Sequence, residues 1–179
     1  MPKKVLSKQP EAPITEAEVA VLSSILDKAT TFSQNLDSQA NVIIGLSLAV
    51  FVFATSSFAG GHSQAYAMIL AFFSGSSALF GLLAMHPPTF MRRHKSEPQS
   101  LLFIKEIGLH KNTSAYAQEL DNMISSRRTT IDQYACEIYN LSTRYYEPKN
   151  ALFKMAKNMF LIGIAVSFLT FVLTTLFGI

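Results

Sequence analysis

The sequence predicts an all-α membrane protein with three spans, a cytoplasmic N-terminus, an N-terminal amphipathic helix, a transmembrane hairpin, a long cytoplasmic helix and a C-terminal span. Three observations predict it. No Asp, Glu, Lys or Arg occurs from Ser38 to Met91, nor from Asn158 to Ile179. Within the first stretch, apolar runs at 41–58 and 65–85 each come close to the ~20 residues that a helix needs to cross a hydrocarbon core of ~30 Å. Charged residues are 15% of the 179, against about 25% in a typical soluble domain. Two fully buried helices in a soluble protein would need polar-faced helices to cover them, and the chain has too few.

Residues 1–14, rich in lysine and proline with little apolar content, read as a flexible tail. Thr15-Glu16-Ala17-Glu18 fits a capping box, in which Thr15 accepts from an amide of the first turn and Glu18 reaches back. Residues 15–38 then form a cytoplasmic helix, with Leu22, Ile25, Ala29, Phe32 and Leu36 on one face. No breaker precedes the first span at 39–59, so helix and span form one rod. The polar helical lead is too long for the n-region of a signal peptide.

Gly60-Gly61 and their polar neighbours turn the chain into the second span, 64–85. His86-Pro87-Pro88 stops that span, because proline donates no helical hydrogen bond. Residues 87–157 are a cytoplasmic helical region. In it, Leu101–Ile107 reads as a helix turn or a strand, and Asn112, Thr113 and Ser114 are each suitable caps. From Ser114 to Pro148 one long helix is expected. Its coiled-coil-like seam is Leu120, Ile124, Arg127, Ile131, Tyr134, Ile138, Leu141 and Tyr145. The third span is 158–179. Lys28 and the N-terminal lysines, Arg92, Arg93 and Lys95, and Lys149, Lys154 and Lys157 all flank the same ends of the spans. The positive-inside rule therefore places the N-terminus and 87–157 in the cytoplasm.

Several function classes are disfavoured. The single cysteine, Cys136, excludes an intramolecular disulfide framework and any multi-cysteine metal site. The histidines His62, His86, His94 and His110 are scattered, and no HExxH, CxxC, GxSxG or phosphate-binding glycine loop is present, so no catalytic residues, metal or cofactor are assigned. The formal charge of +3 is read as membrane topology, not as nucleic-acid binding. Spans without ionisable groups argue against ion-coupled transport. They carry small residues four apart instead: Gly45 and Ala49, Ala71 and Gly75, Ser74 and Ala78, Ser77 and Gly81, Gly163 and Ser167. Such spacing suits close helix packing, within one protomer or in a homo-oligomer.

Arg127 stands at a seam position otherwise held by Leu, Ile and Tyr. Its guanidinium must be paired, reach water, or face an anion. With Arg128 and Arg144 on the same helix and Arg92 and Arg93 nearby, the cytoplasmic part offers a phosphate-binding set. The alternative is salt bridges to Glu119, Asp121 or Asp132. Tyr116, Tyr134, Tyr139, Tyr145 and Tyr146 either stack a base or pack the helices.

The order of features resembles a known family. Asp27-Lys28-Ala29 leads into two close spans, and Pro87-Pro88 follows them. Then come Tyr116, Tyr134 and the run Glu137-Ile138-Tyr139-Asn140-Leu141-Ser142. Tyr146-Glu147-Pro148-Lys149 enters a last span containing Phe160-Leu161-Ile162-Gly163. From Leu26 to the C-terminus the chain is similar to the membrane effectors of Pycsar antiphage systems. The resemblance implies a non-enzymatic effector in the bacterial inner membrane, spanning it several times. It implies activation by cyclic CMP or cyclic UMP from a partner pyrimidine cyclase, and abortive infection through membrane damage. A non-catalytic scaffold that recruits a cytosolic protein through its long helices is the other reading of the same helices.

Overall fold

A computed structural model describes residues 14–59, 65–91, 100–103 and 107–177. The regular elements among them are helical: α1 Glu16–Ala59, α2 Ala65–Met85, a 3₁₀ turn Thr89–Met91, α3 Thr113–Ile124, α4 Arg127–Asn140, a π-helical segment Leu141–Tyr146, and α5 Glu147–Phe177. Three helical stretches, Glu16–Ser57, Ala65–Met85 and Arg127–Phe177, are long and apolar enough to cross a membrane. The chain is therefore all-α, as its composition and runs predict. The Gly60-Gly61 turn lies outside the described residues. Two compact units are formed, one from Met1–Thr31 with His94–Ser142, the other from Phe32–Arg93 with Thr143–Ile179.

The second unit joins the C-terminal part of α1 to α2 and α5. Ser47 pairs with Ser77, Ile44 meets Gly81, and Phe51 meets Gly75, so α1 and α2 run antiparallel. Ser77 Oγ donates to the carbonyl of Ala156 at 2.8 Å, and Ser167 Oγ to that of Tyr66 at 2.8 Å. The Tyr66 and Phe171 rings meet edge to face at 5.3 Å. These contacts make α2 and α5 antiparallel too. A hydroxyl has one hydrogen, and Ser77 spends its own on Ala156. Ser47, 2.9 Å away, must therefore donate to Ser77. One buried serine thus ties three helices together.

Burial here is the reverse of that in a soluble core. Ala40, Ala54, Ala67, Ala71, Ala78, Ala84 and Ala156 are buried with Ser47, Ser74 and Ser77. Phe53, Phe72, Leu79, Phe168 and Leu169 are all more than half exposed. In lipid, apolar burial drives no association, so small residues that let backbones approach occupy the contacts and bulky ones face the acyl chains. A Cβ at Gly163 would overlap Phe73, and one at Gly81 would lie 2.6 Å from Ile44. At Gly45 nothing lies within 4 Å, and Ala49 is exposed, so this small pair packs against nothing described in the protomer.

The apolar face of α1 is unevenly buried, and the helix expected after Ser114 is not continuous. Of the face proposed for α1, Leu36 is buried, but Ile25 and Phe32 are 44% and 63% exposed. Periodicity finds apolar positions and does not say which of them meet protein. The single helix expected from Ser114 to Pro148 is instead interrupted. Asn112 caps α3, accepting from the Ala115 amide at 2.8 Å, and α3 ends at Ile124. Ser126 then caps α4, accepting from the Thr129 amide at 3.4 Å, and Thr130 Oγ1 closes the corner by donating to Met123 O at 2.8 Å. Consecutive serines compete for backbone groups in this way, favouring caps over helix interiors. Pro148 does not end a helix. It lies inside the continuous helical stretch Arg127–Phe177, directly after the π-helical segment Leu141–Tyr146, whose altered bonding lies where a proline removes a helical N–H. Of the apolar stretch after Ser100, the described residues turn, with Phe103 N donating to Ser100 O at 3.0 Å and Ile107 N to Phe103 O at 3.1 Å; residues 104–106 lie outside the described residues.

Candidate ligand site

The polar start of α1 is fixed by the expected capping box. Thr15 N–H and Oγ1 both donate to Glu18 Oε2, at 3.0 and 3.1 Å, while the Glu18 amide donates to Thr15 Oγ1 at 3.3 Å. This leaves the carboxylate turned toward α4. Arg127 opens α4 directly after the Ser126 cap, and its Nε donates to Glu18 Oε1 and Oε2 at 3.1 and 3.3 Å. Nη2 makes a further short bond to Oε1. The guanidinium beside Glu18, backed by the Thr15 amide, holds its carboxyl well down at about 2. The pair is partly open, with the Arg127 side chain 45% and that of Glu18 33% exposed, so a solute can reach it.

An open groove of about 340 Å³ adjoins the pair, lined by Ala17, Glu18, Val21, Leu22 and Ile131. Ala17 with Val21, and Glu18 with Leu22, are four apart on α1; Ile131 is four beyond Arg127 on α4. Helical spacing thus gives the groove an apolar floor with a charged pair at one edge.

Of the other arginines singled out, Arg128 follows Arg127 and lies 3.9 Å from Asp132 Oδ2, with both side chains well exposed. At that distance and exposure the pair contributes little. Arg144 lies in the π-helical segment and belongs to the other unit. Arg92 and Arg93 fall outside the described residues. Tyr134 meets Ser23 at 3.4 Å between hydroxyls, and Tyr116 directs its own to Leu101 O at 3.5 Å while the His110 ring lies 5.2 Å from its ring, tilted by 52°.

Sequence reasoning missed two things. It assigned Glu18 to capping alone and sought partners for Arg127 nearby in the chain; the partner found is 109 residues away. It also took the apolar seam of α4 as the buried face. The buried residues of α4 are Thr130, Glu137 and Asn140, all polar, and Met123 precedes Thr130 by seven just as Thr130 precedes Glu137. Glu137 Oε2 and Asn140 Oδ1 have no hydrogen-bond partner among the described residues, and burial pushes the Glu137 carboxyl up. The seven-residue recurrence was the available signal, one register from the isoleucines. Among the described residues no cluster of His, Cys, Asp and Glu is arranged to hold a metal ion.

Residues 21–177 match a family model described as the Pycsar effector protein domain. The matched stretch contains Arg127 and the groove residues Val21, Leu22 and Ile131, together with all three membrane-competent segments. No curated protein and no solved structure matches the chain.

Proposed function

Because the chain belongs to the Pycsar effector family and is an antiphage effector with membrane-competent helices, we propose that it is switched on by a cyclic pyrimidine nucleotide. Cyclic CMP or cyclic UMP, made by a partner cyclase during infection, binds the unit that carries Arg127. The bundle of α1, α2 and α5 then rearranges, the bacterial inner membrane leaks, and the infected cell dies before phage are released. The effector needs no catalytic step of its own.

One observation carries the ligand reading. Arg127 presents a planar, two-pronged donor set at the edge of an apolar groove, which suits a phosphate beside a sugar and base. Arg128, and by their place in the sequence Arg92, Arg93 and Arg144, add positive potential on the same cytoplasmic side. Charge-free spans support leakage through disturbed packing or through several protomers together, not through an ion path in one protomer. The ligand must bind the active state more tightly by a few kcal/mol, about 5.5 kcal/mol for a nearly complete switch.

Purified protein in dye-loaded liposomes tests this reading. Release is expected with cyclic CMP or cyclic UMP and not without them. Equal release with and without nucleotide overturns it, and capture of a cytosolic protein with no nucleotide dependence favours the scaffold reading.

A further inference from the structure

We propose that Glu18 is a built-in stand-in for the ligand's phosphate. Its carboxylate occupies the Arg127 fork, and the site selects a singly charged, two-oxygen anion, a cyclic phosphodiester in preference to a linear nucleotide monophosphate. The inference rests on the cyclic-nucleotide reading above and adds to it both a displaced group and a rule of selection.

The geometry supplies the reasons. Glu18 offers Arg127 two oxygens on one carbon and one negative charge. A cyclic phosphodiester offers two free oxygens on one phosphorus and one negative charge, so it can take over the same guanidinium edge. A linear monophosphate carries a third free oxygen and about −1.5 to −2 charges. Its extra charge lies beside the displaced Glu18 carboxylate, and like charges repel. Thr15 anchors Glu18 Oε2 through N–H and Oγ1 and so keeps the displaced carboxylate near the site. The adjoining groove, floored by Val21, Leu22 and Ile131, receives the sugar and base without supplying further charge. At 45% and 33% side-chain exposure, the pair can be exchanged without opening a core.

In this arrangement Glu18 raises the ligand concentration needed for occupancy. The resting protein has a satisfied guanidinium, and only a ligand that outcompetes an intramolecular carboxylate displaces it.

Titration calorimetry on the full chain in nanodiscs tests this, with cyclic CMP, cyclic UMP and linear 5′-CMP and 5′-UMP as probes. Glu18→Gln keeps the capping box and removes the competing charge; it is expected to bind the cyclic nucleotide about tenfold more tightly, the scale of one charge-assisted contact. Thr15→Ala, which loosens Glu18 without touching Arg127, is expected to tighten binding by about threefold, a part of that contact. Arg127→Lys, which loses the fork, is expected to weaken it by about tenfold or more. Linear monophosphates are expected to bind wild type at least about tenfold less well.

Unchanged or weaker binding in Glu18→Gln and Thr15→Ala overturns the stand-in, even where cyclic nucleotides bind wild type. If Glu18→Gln does not fold, Thr15→Ala decides alone. Equal binding of linear and cyclic nucleotides overturns the selection. No binding of either cyclic nucleotide to wild type overturns the underlying ligand reading instead, so the failures are distinct.

Discussion

Lys149 Nζ reaches both carboxylate oxygens of Asp37, at 2.7 and 2.8 Å, tying the start of α5 to α1 just ahead of the charge-free run. The lysine side chain is only 13% exposed and that of Asp37 36%. A charge withdrawn this far from water depends on its partner, so removing one member costs more than the pair itself contributes. Asp37→Asn is expected to lower stability by about 2 kcal/mol, and Lys149→Met by a similar amount. The double variant should recover part of the loss. Unfolding in detergent micelles, analysed as a double-mutant cycle, measures the coupling; strictly additive losses would show that the pair is not energetically linked.

The glycines of the spans are expected to differ sharply. Gly163→Ala drives a methyl into Phe73 on α2, and Gly81→Ala places one 2.6 Å from Ile44. Each should cost about 1–3 kcal/mol, since the neighbour is held by its own helix. Gly45→Ala meets nothing within 4 Å and should be neutral in the isolated protomer, or stabilising by up to about 1 kcal/mol through helix propensity. Melting temperatures of the three variants in micelles would decide. A Gly45→Ala loss as large as the other two would contradict the packing described.

Acid should weaken the join of α1 to α4 within the first unit over a definite range. Glu18 is held at about 2, below its usual value of 4.5, by Arg127 first and by Thr15. A depressed carboxyl stabilises the fold above its unfolded value, and that contribution is lost as pH falls from 4.5 through about 2. Glu18→Gln should therefore remove the part of the acid sensitivity lying in that window. Hydrogen exchange of the first turns of α1 and α4 on acidification reads it. Identical profiles for the wild type and the variant would rule the linkage out.

Glu137 works in the opposite sense. Burial raises its carboxyl, so the folded state prefers the neutral form. Its contribution is present below the unfolded value of 4.5 and declines as pH rises through the raised value. Glu137→Gln keeps the shape, cannot ionise, and brings N–H donors to the same face as the orphaned Asn140 Oδ1. At neutral pH the variant should be more stable by about 1 kcal/mol, with a flatter dependence on pH above the usual carboxylate range. Melting temperature against pH tests this, and a less stable glutamine variant at neutral pH would refute it.

The three membrane-competent helices were legible because hydrocarbon imposes a length and forbids charge, and both are countable in one dimension. The Thr15 capping box and the Asn112 cap were legible because their partners lie within one turn. The union of Arg127 with Glu18 and that of Lys149 with Asp37 were not. Each joins positions more than a hundred apart, and local spacing holds no information about them. Ile25, Phe32 and Ile124 misled for a different reason. In a soluble domain apolar periodicity marks the inside, whereas here exposed apolar side chains are common along the helices outside the spans as well as on them.

The inverted core has a mechanical consequence. Where knobs of leucine and phenylalanine interlock, moving one helix past another requires each knob to climb out of its hole. Along α2 the inner surface is mostly alanine, serine and glycine, and its position against α1 and α5 is marked by a few hydroxyl bonds and three glycine contacts. Its relief is shallow except where Phe51, Ile44 and Phe73 sit against glycines. A step along the helix then asks those few hydroxyls to change partners and those three side chains to leave their glycines.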